Sequence, residues 1–147
     1  MNLKDPFNNK KNSISYLLKN GKLINLKEKK IEDKDLLLEN RKITQIKKRI
    51  NITSKDVEVI DCSGLMIAPG LVDMRVNIGE PGSEHKETVK SVSMSAASGG
   101  ITSLICMPNT SPPIDQPAII QSIQRKAREV ALSKFYCTGC ILSLIHI

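Results

Sequence analysis

The sequence predicts an α/β chain in which a small unit of short strands precedes a β-α-β-α-β run, the order of a parallel sheet or barrel. Three observations predict it. Short apolar runs broken by turn residues occupy Ile14 to Ile67, and the hydrophobic period becomes helical after Gly70. Between the two helical stretches, "ITSLICM" is a continuous apolar run of the kind a strand buried on both faces shows.

Residues 1–13 are polar and read as a flexible N-terminus. Residues 14–68 read as a small antiparallel β unit. In "ISYLLKNGKLINL", Asn20-Gly21 lies between two apolar runs, a type I′ hairpin signal. "DLLLENRKITQI" reads as a second hairpin turning at Asn40-Arg41, and "VEVIDCSGLMIAPG" as a strand, a Ser-Gly turn and a short run ending at Pro69-Gly70. Residues 69–141 hold three strands and two helices. "LVDMRVNI" is the first strand. "SEHKETVKSVSMSAASGG" follows as a helix with Val89, Val92 and Ala96 on one face and Gly99-Gly100 as its stop. Ser83 is its expected N-cap, and Glu80, Glu84 and Glu87 its expected acidic first turn. After "ITSLICM", the prolines of "PNTSPPI" exclude helix. "DQPAIIQSIQRKAREVALS" sets Ile119, Ile123, Ala127 and Val130 on one face with Asp115 as cap, and "KFYCTGCIL" is the third strand. The final "LSLIHI" is what one frame of a common transposon-type sequencing adapter would encode. Residues 142–147, His146 included, therefore read as a sequencing or cloning scar.

Composition narrows the function classes. No apolar run approaches a membrane span, and the polar start lacks the apolar core of a secretory signal, so a cytoplasmic location without membrane association is expected. The net charge of +7 is concentrated in residues 1–50, which hold fourteen of the 22 Lys/Arg and six of the 15 Asp/Glu. A basic third admits nucleic-acid binding, yet aromatics make up 3% of the chain and Trp is absent, so stacking platforms are lacking. A solvated lysine-rich face is the plainer reading. Cys62, Cys106, Cys137 and Cys140 fall in predicted strands or at their edges and read as buried thiols. Cys137-Thr-Gly-Cys140 has redox or zinc spacing, but it sits in a strand-like run and no second pair completes a four-ligand site.

The segment from "VIDCSGLMIAPGLVDMRVNIGEPGSEHKET" through "GGITSLICMPNTSPPID" resembles the N-terminal part of dihydroorotase, a cyclic amidohydrolase. The resemblance runs from about Ile14 to Cys140 and is densest from Pro69 to Asp115; "EPGSEHKET" with "MPNT" favours the dihydroorotase branch over hydantoinases and allantoinases. It implies a (β/α)₈ TIM-type barrel preceded by a β-sandwich segment built from both chain ends. Three of the eight barrel strands lie in this sequence, so it reads as a truncated part of a longer protein with an open sheet edge.

The resemblance also implies a reaction. Family members hydrolyse or close the ring amide of dihydroorotate, with divalent metal, usually zinc, activating water. In the family the first barrel strand carries His-x-His and, two residues on, Arg. Residues i and i+2 of a strand point the same way, into the barrel mouth, where two imidazoles reach one metal and the Arg clamps a carboxylate. Those positions are Arg75, Asn77 and Gly79 here. Asp73 is kept, as is Asn109 of "MPNT", whose family role is to hold the substrate carboxylate. Arg75 offers no lone pair and is a fixed cation. At ~4 Å and an effective dielectric of ~20, unit charges repel by about 4 kcal/mol, and a divalent ion doubles that. The Asn77 amide oxygen suits hard cations rather than zinc. His85, at the start of the helix, reads as solvent-facing.

No catalytic residue, metal ligand or bound cofactor is therefore expected in this chain. The first functional hypothesis is an inactive dihydroorotase homologue, oligomeric in its whole form, that supports aspartate carbamoyltransferase. The alternatives are an active dihydroorotase or related cyclic amidase and, last, a basic nucleic-acid-binding module. Metal content separates the first two, and salt-dependent oligonucleotide binding reveals the third.

Overall fold

A computed structural model describes residues 15–52, 54 and 56–140. The expectations for residues 1–13 and 142–147 lie outside the described residues. The chain divides into two compact units, Met1–Pro69 and Gly70–Ile147.

The first unit contains β1 (Ser15–Asn25), β2 (Lys30–Glu39), β3 (Lys42–Lys47), β4 (Val57–Asp61) and β5 (Met66–Ile67) in one sheet of order β3-β2-β1-β4, with β5 also on β1. The turn at Asn40-Arg41 forms as expected, both residues taking left-handed φ (51° and 63°) to join antiparallel β2 and β3. The Asn20-Gly21 expectation is corrected. β1 runs straight through it, with a register shift between Leu18 and Gly21 against β2. A left-handed Asn serves a bulge as well as a turn. Asn20 (φ 60°) is held there by its N–H donating to Asp35 Oδ1 at 3.0 Å and its Nδ2 donating to Asp61 Oδ1 at 3.0 Å. Gly21 lets Ile67 pack close, since a Cβ there would stand 2.4 Å from Ile67 Cδ1 and the side chain would have to move. The chain reverses later, between Asn25 and Lys30, where Asn25 Oδ1 accepts from the Glu28 amide at 3.1 Å. The sheet is also mixed rather than antiparallel, because β4 and β5 both pair with β1 in parallel. Leu17, Leu37 and Ile50 form its buried cluster.

The second unit alternates β6 (Leu71–Val76), α1 (Val89–Ser98), β7 (Ile101–Cys106), α2 (Pro117–Val130) and β8 (Lys134–Cys137), with the strands parallel in the order β6-β7-β8. Both helices pack on one face of this sheet through Val89, Val92, Ala96, Ile123 and Ala127, which meet Leu104, Cys106 and Phe135. Leu104 and Cys106 of β7 are buried on that face, whereas its other positions are partly or fully exposed, so "ITSLICM" is covered on one side only among the described residues. Leu71, Val72, Met74 and Tyr136 are exposed.

Two helix starts differ from expectation. The N-cap of α1 is Thr88, not Ser83, because Thr88 and Ser91 form a reciprocal capping box. Ser83 instead closes a turn, its amide donating to Gly79 O. No acidic residue lies in the first turn of α1; Glu80 and Glu84 stay in the loop before it, as does Glu87. α2 begins after Gln116 rather than Asp115, with Pro117 at its start removing a donor that would have lacked a partner. β8 ends at Cys137, so Cys140 is not a strand residue. No helix among the described residues is long and apolar enough to cross a membrane.

Candidate active site

The carboxyl ends of β6 and β7 bring the predicted positions together. Val76 is in register with Cys106, and the Met107 amide donates to Val76 O at 2.9 Å, carrying the ladder past the strand ends. Val76 and Ile78 pack into the helix-side core, which leaves Arg75 and Asn77, their alternation partners, exposed away from it. Asn109, three residues beyond β7, then donates from Nδ2 to Asn77 Oδ1 at 3.0 Å. The two amides form one pair across 32 residues of sequence. Asp73, upstream on the same strand, turns back to accept from the Arg75 amide at 3.0 Å, beside a register shift between Asp73 and Val76.

Gly79 lies in the loop between β6 and α1, and that loop has closed over it. A Cβ at Gly79 would come within 2.4 Å of Glu87 O and 2.6 Å of Ser83 O, both main-chain atoms. No side chain fits there without moving the loop. The same loop is tied to the segment after β7, the Ser111 amide donating to Pro81 O at 3.0 Å. His85 is exposed on it. The Gly82 amide donates to Glu84 and holds its carboxyl below the usual carboxylate range.

Glu80, expected in the acidic first turn of α1, instead reaches that helix start from the loop before it. It is 8% exposed; its Oε2 accepts from the Val89 amide at 3.0 Å, and its Oε1 pairs with Lys126 of α2. Glu80 therefore anchors the site loop to the first N–H of α1 and to the neighbouring helix. It lies nine residues before Val89, so only the folded loop brings its carboxylate to the unpaired amide at the helix start.

The donor set does not fit a transition metal. Arg75 has no lone pair, and the Asn77 oxygen already accepts a hydrogen bond. Among the described residues, no three His, Cys, Asp or Glu side chains are grouped to hold an ion. What the arrangement offers is hydrogen-bond donors and one guanidinium at the strand ends.

Parallel strands alternating with helices, with polar side chains collected at the strands' carboxyl ends, fit the opening part of a (β/α)₈ barrel. L-hydantoinase (dihydropyrimidinase) from Arthrobacter aurescens has the same fold, with a TM-score of 0.76 and 27% identity over 84% of this chain and 27% of that one. Residues 64–143 match the family described as dihydro-orotase-like, and the chain belongs to that family. Its curated relatives include the dihydroorotases of Aquifex aeolicus, 38% identical over 87% of this chain and 30% of theirs, and Bacillus cytotoxicus, 44% identical over 80% and 27%. The chain thus spans less than a third of the length of these relatives.

Proposed function

We propose that this chain is part of a dihydroorotase-like protein of pyrimidine biosynthesis that has lost zinc-dependent ring hydrolysis and supports aspartate carbamoyltransferase in the cytoplasm. One observation carries the reading: the two first-strand ligand positions are a guanidinium and an amide whose oxygen is already bonded to Asn109. Arg75 stands where a cation is expected and supplies a charge of the same sign without Lewis acidity. The closed loop at Gly79 supports the reading, because an arginine clamp at that position needs a different loop path.

Asn109 favours a second reading, a working cyclic amidase of altered chemistry. It is the one retained position with a family role in substrate binding, and its amide pair with Asn77 would orient a polar ligand. Metal analysis of the purified full-length gene product separates the two. The proposal expects no stoichiometric zinc that depends on residues 75 and 77, and zinc lost on replacing Asn77 with Ala would defeat it. Sedimentation with aspartate carbamoyltransferase tests the supporting role, which requires a co-sedimenting complex.

A further inference from the structure

The last residues of β7 and β8 are both cysteines, and the parallel register sets Cys106 opposite Cys137. Neighbouring strands stand ~4.8 Å apart, within the Cα separation of roughly 4.4–6.8 Å that a disulfide spans. Both residues belong to the helix-side face: Cys106 is fully buried in the core, and Cys137 packs against that core while keeping partial exposure. The neighbouring loops are stitched at this point, with the Thr138 amide and hydroxyl donating to Cys106 O at 3.0 and 2.7 Å. Cys140, which shares the C-x-x-C spacing, donates its thiol to Ile114 O at 3.3 Å. The partner that the fold supplies to Cys137 is therefore Cys106, across the sheet.

We propose that Cys106 and Cys137 form an oxidation site, a dithiol that peroxide converts to a disulfide bridging β7 and β8. Their environments divide the labour. The neighbouring Cys106 thiol holds Cys137 below the ordinary thiol range, and the presence of Cys137, followed by burial, pushes Cys106 up. The reactive thiolate is thus the one with solvent access. The Cys137 thiolate attacks one oxygen of the peroxide and the O–O bond breaks. The departing hydroxide takes up a proton as water, leaving a sulfenic acid on Cys137. With that negative charge gone, Cys137 no longer holds the Cys106 thiol up. The Cys106 sulfur then attacks the Cys137 sulfur; the S–O bond breaks, and the thiol proton leaves with the hydroxide as a second water. Two thiols lose two electrons, and one peroxide gains them.

The test is peptide mapping of the full-length gene product after hydrogen peroxide treatment, alkylation of remaining thiols and non-reducing tryptic digestion. Cleavage at Lys126 and Lys134 separates the two cysteines. The expected product is a cross-linked peptide pair lighter by two hydrogens and released by dithiothreitol. It should persist in Cys140→Ser and disappear in Cys137→Ser. In Cys106→Ala the cross-linked pair should be absent, and any sulfenic acid that forms on Cys137 should be trapped by dimedone. The wild-type map needs no variant to fold. A map in which Cys106 and Cys137 stay alkylated, or in which Cys137 links to Cys140, would overturn the proposal.

Discussion

Replacing Glu80 with Ala removes the acceptor for the Val89 amide and the partner of Lys126 in one step. The amide is at a buried residue, 0% exposed, so water does not replace the lost acceptor freely. An unsatisfied buried donor costs about 1–3 kcal/mol. The ion pair adds less, because the Lys126 side chain is 48% exposed and rehydrates when its partner leaves; such pairs are worth at most about 1 kcal/mol. The expected loss is about 2–3 kcal/mol for Glu80→Ala. For Glu80→Gln, which keeps an acceptor for Val89, it is about 1 kcal/mol. Urea unfolding of the full-length protein measures both, and amide exchange at Val89 reports the local effect. A Glu80→Ala cost below about 0.5 kcal/mol would refute the anchoring role, since surface substitutions fall in that range. Equal costs for Ala and Gln would show that charge, not the helix amide, holds the loop.

Three further outcomes are expected. Gly79→Arg should destabilise the loop and fail to restore a clamp even beside Arg75→His and Asn77→His; a folded triple variant with the loop unmoved in its structure would contradict the steric argument. The Asp61 carboxyl is held below the usual range by Asn20 and then by Ser63, so it adds stability above its unfolded pKa and loses it as pH falls through its lower folded pKa. Acid titration should show the loss beginning below about pH 4, and Asp61→Asn should flatten it; an unchanged profile would count against that bond. Residues 1–147 expressed alone should unfold without a sharp transition, because Leu71, Val72, Met74 and Tyr136 have no covering layer among the described residues, and a cooperative melt would oppose this.

Legibility followed the range of the forces involved. The hairpin at Asn40-Arg41 and the β-α-β-α-β order come from local turn chemistry and period, and both were readable. Asn20-Gly21 was not, because the same left-handed signal serves a turn and a bulge, and only the distant Asp35 and Asp61 decide between them. The parallel pairing of β4 with β1, Ser15 to Lys19 with Val57 to Asp61, is likewise set by residues far apart in sequence. Helix caps were missed by a few positions, since Ser83 and Thr88 are both competent and the choice rests on Ser91. At the site, Arg75 and Asn77 stood out through the family resemblance, because they occupy its His-x-His positions and cannot supply imidazole ligands. The Asn77–Asn109 pair, the closure over Gly79, the anchoring by Glu80 and the meeting of Cys106 with Cys137 all required the fold to carry distant segments together.

The most direct test of the metal-deficient site is turnover of dihydroorotate by the purified full-length gene product supplied with zinc. The account predicts no hydrolysis or ring closure above the rate in a protein-free control. Zinc-dependent turnover that vanishes when Arg75 and Asn77 are replaced by Ala would contradict it.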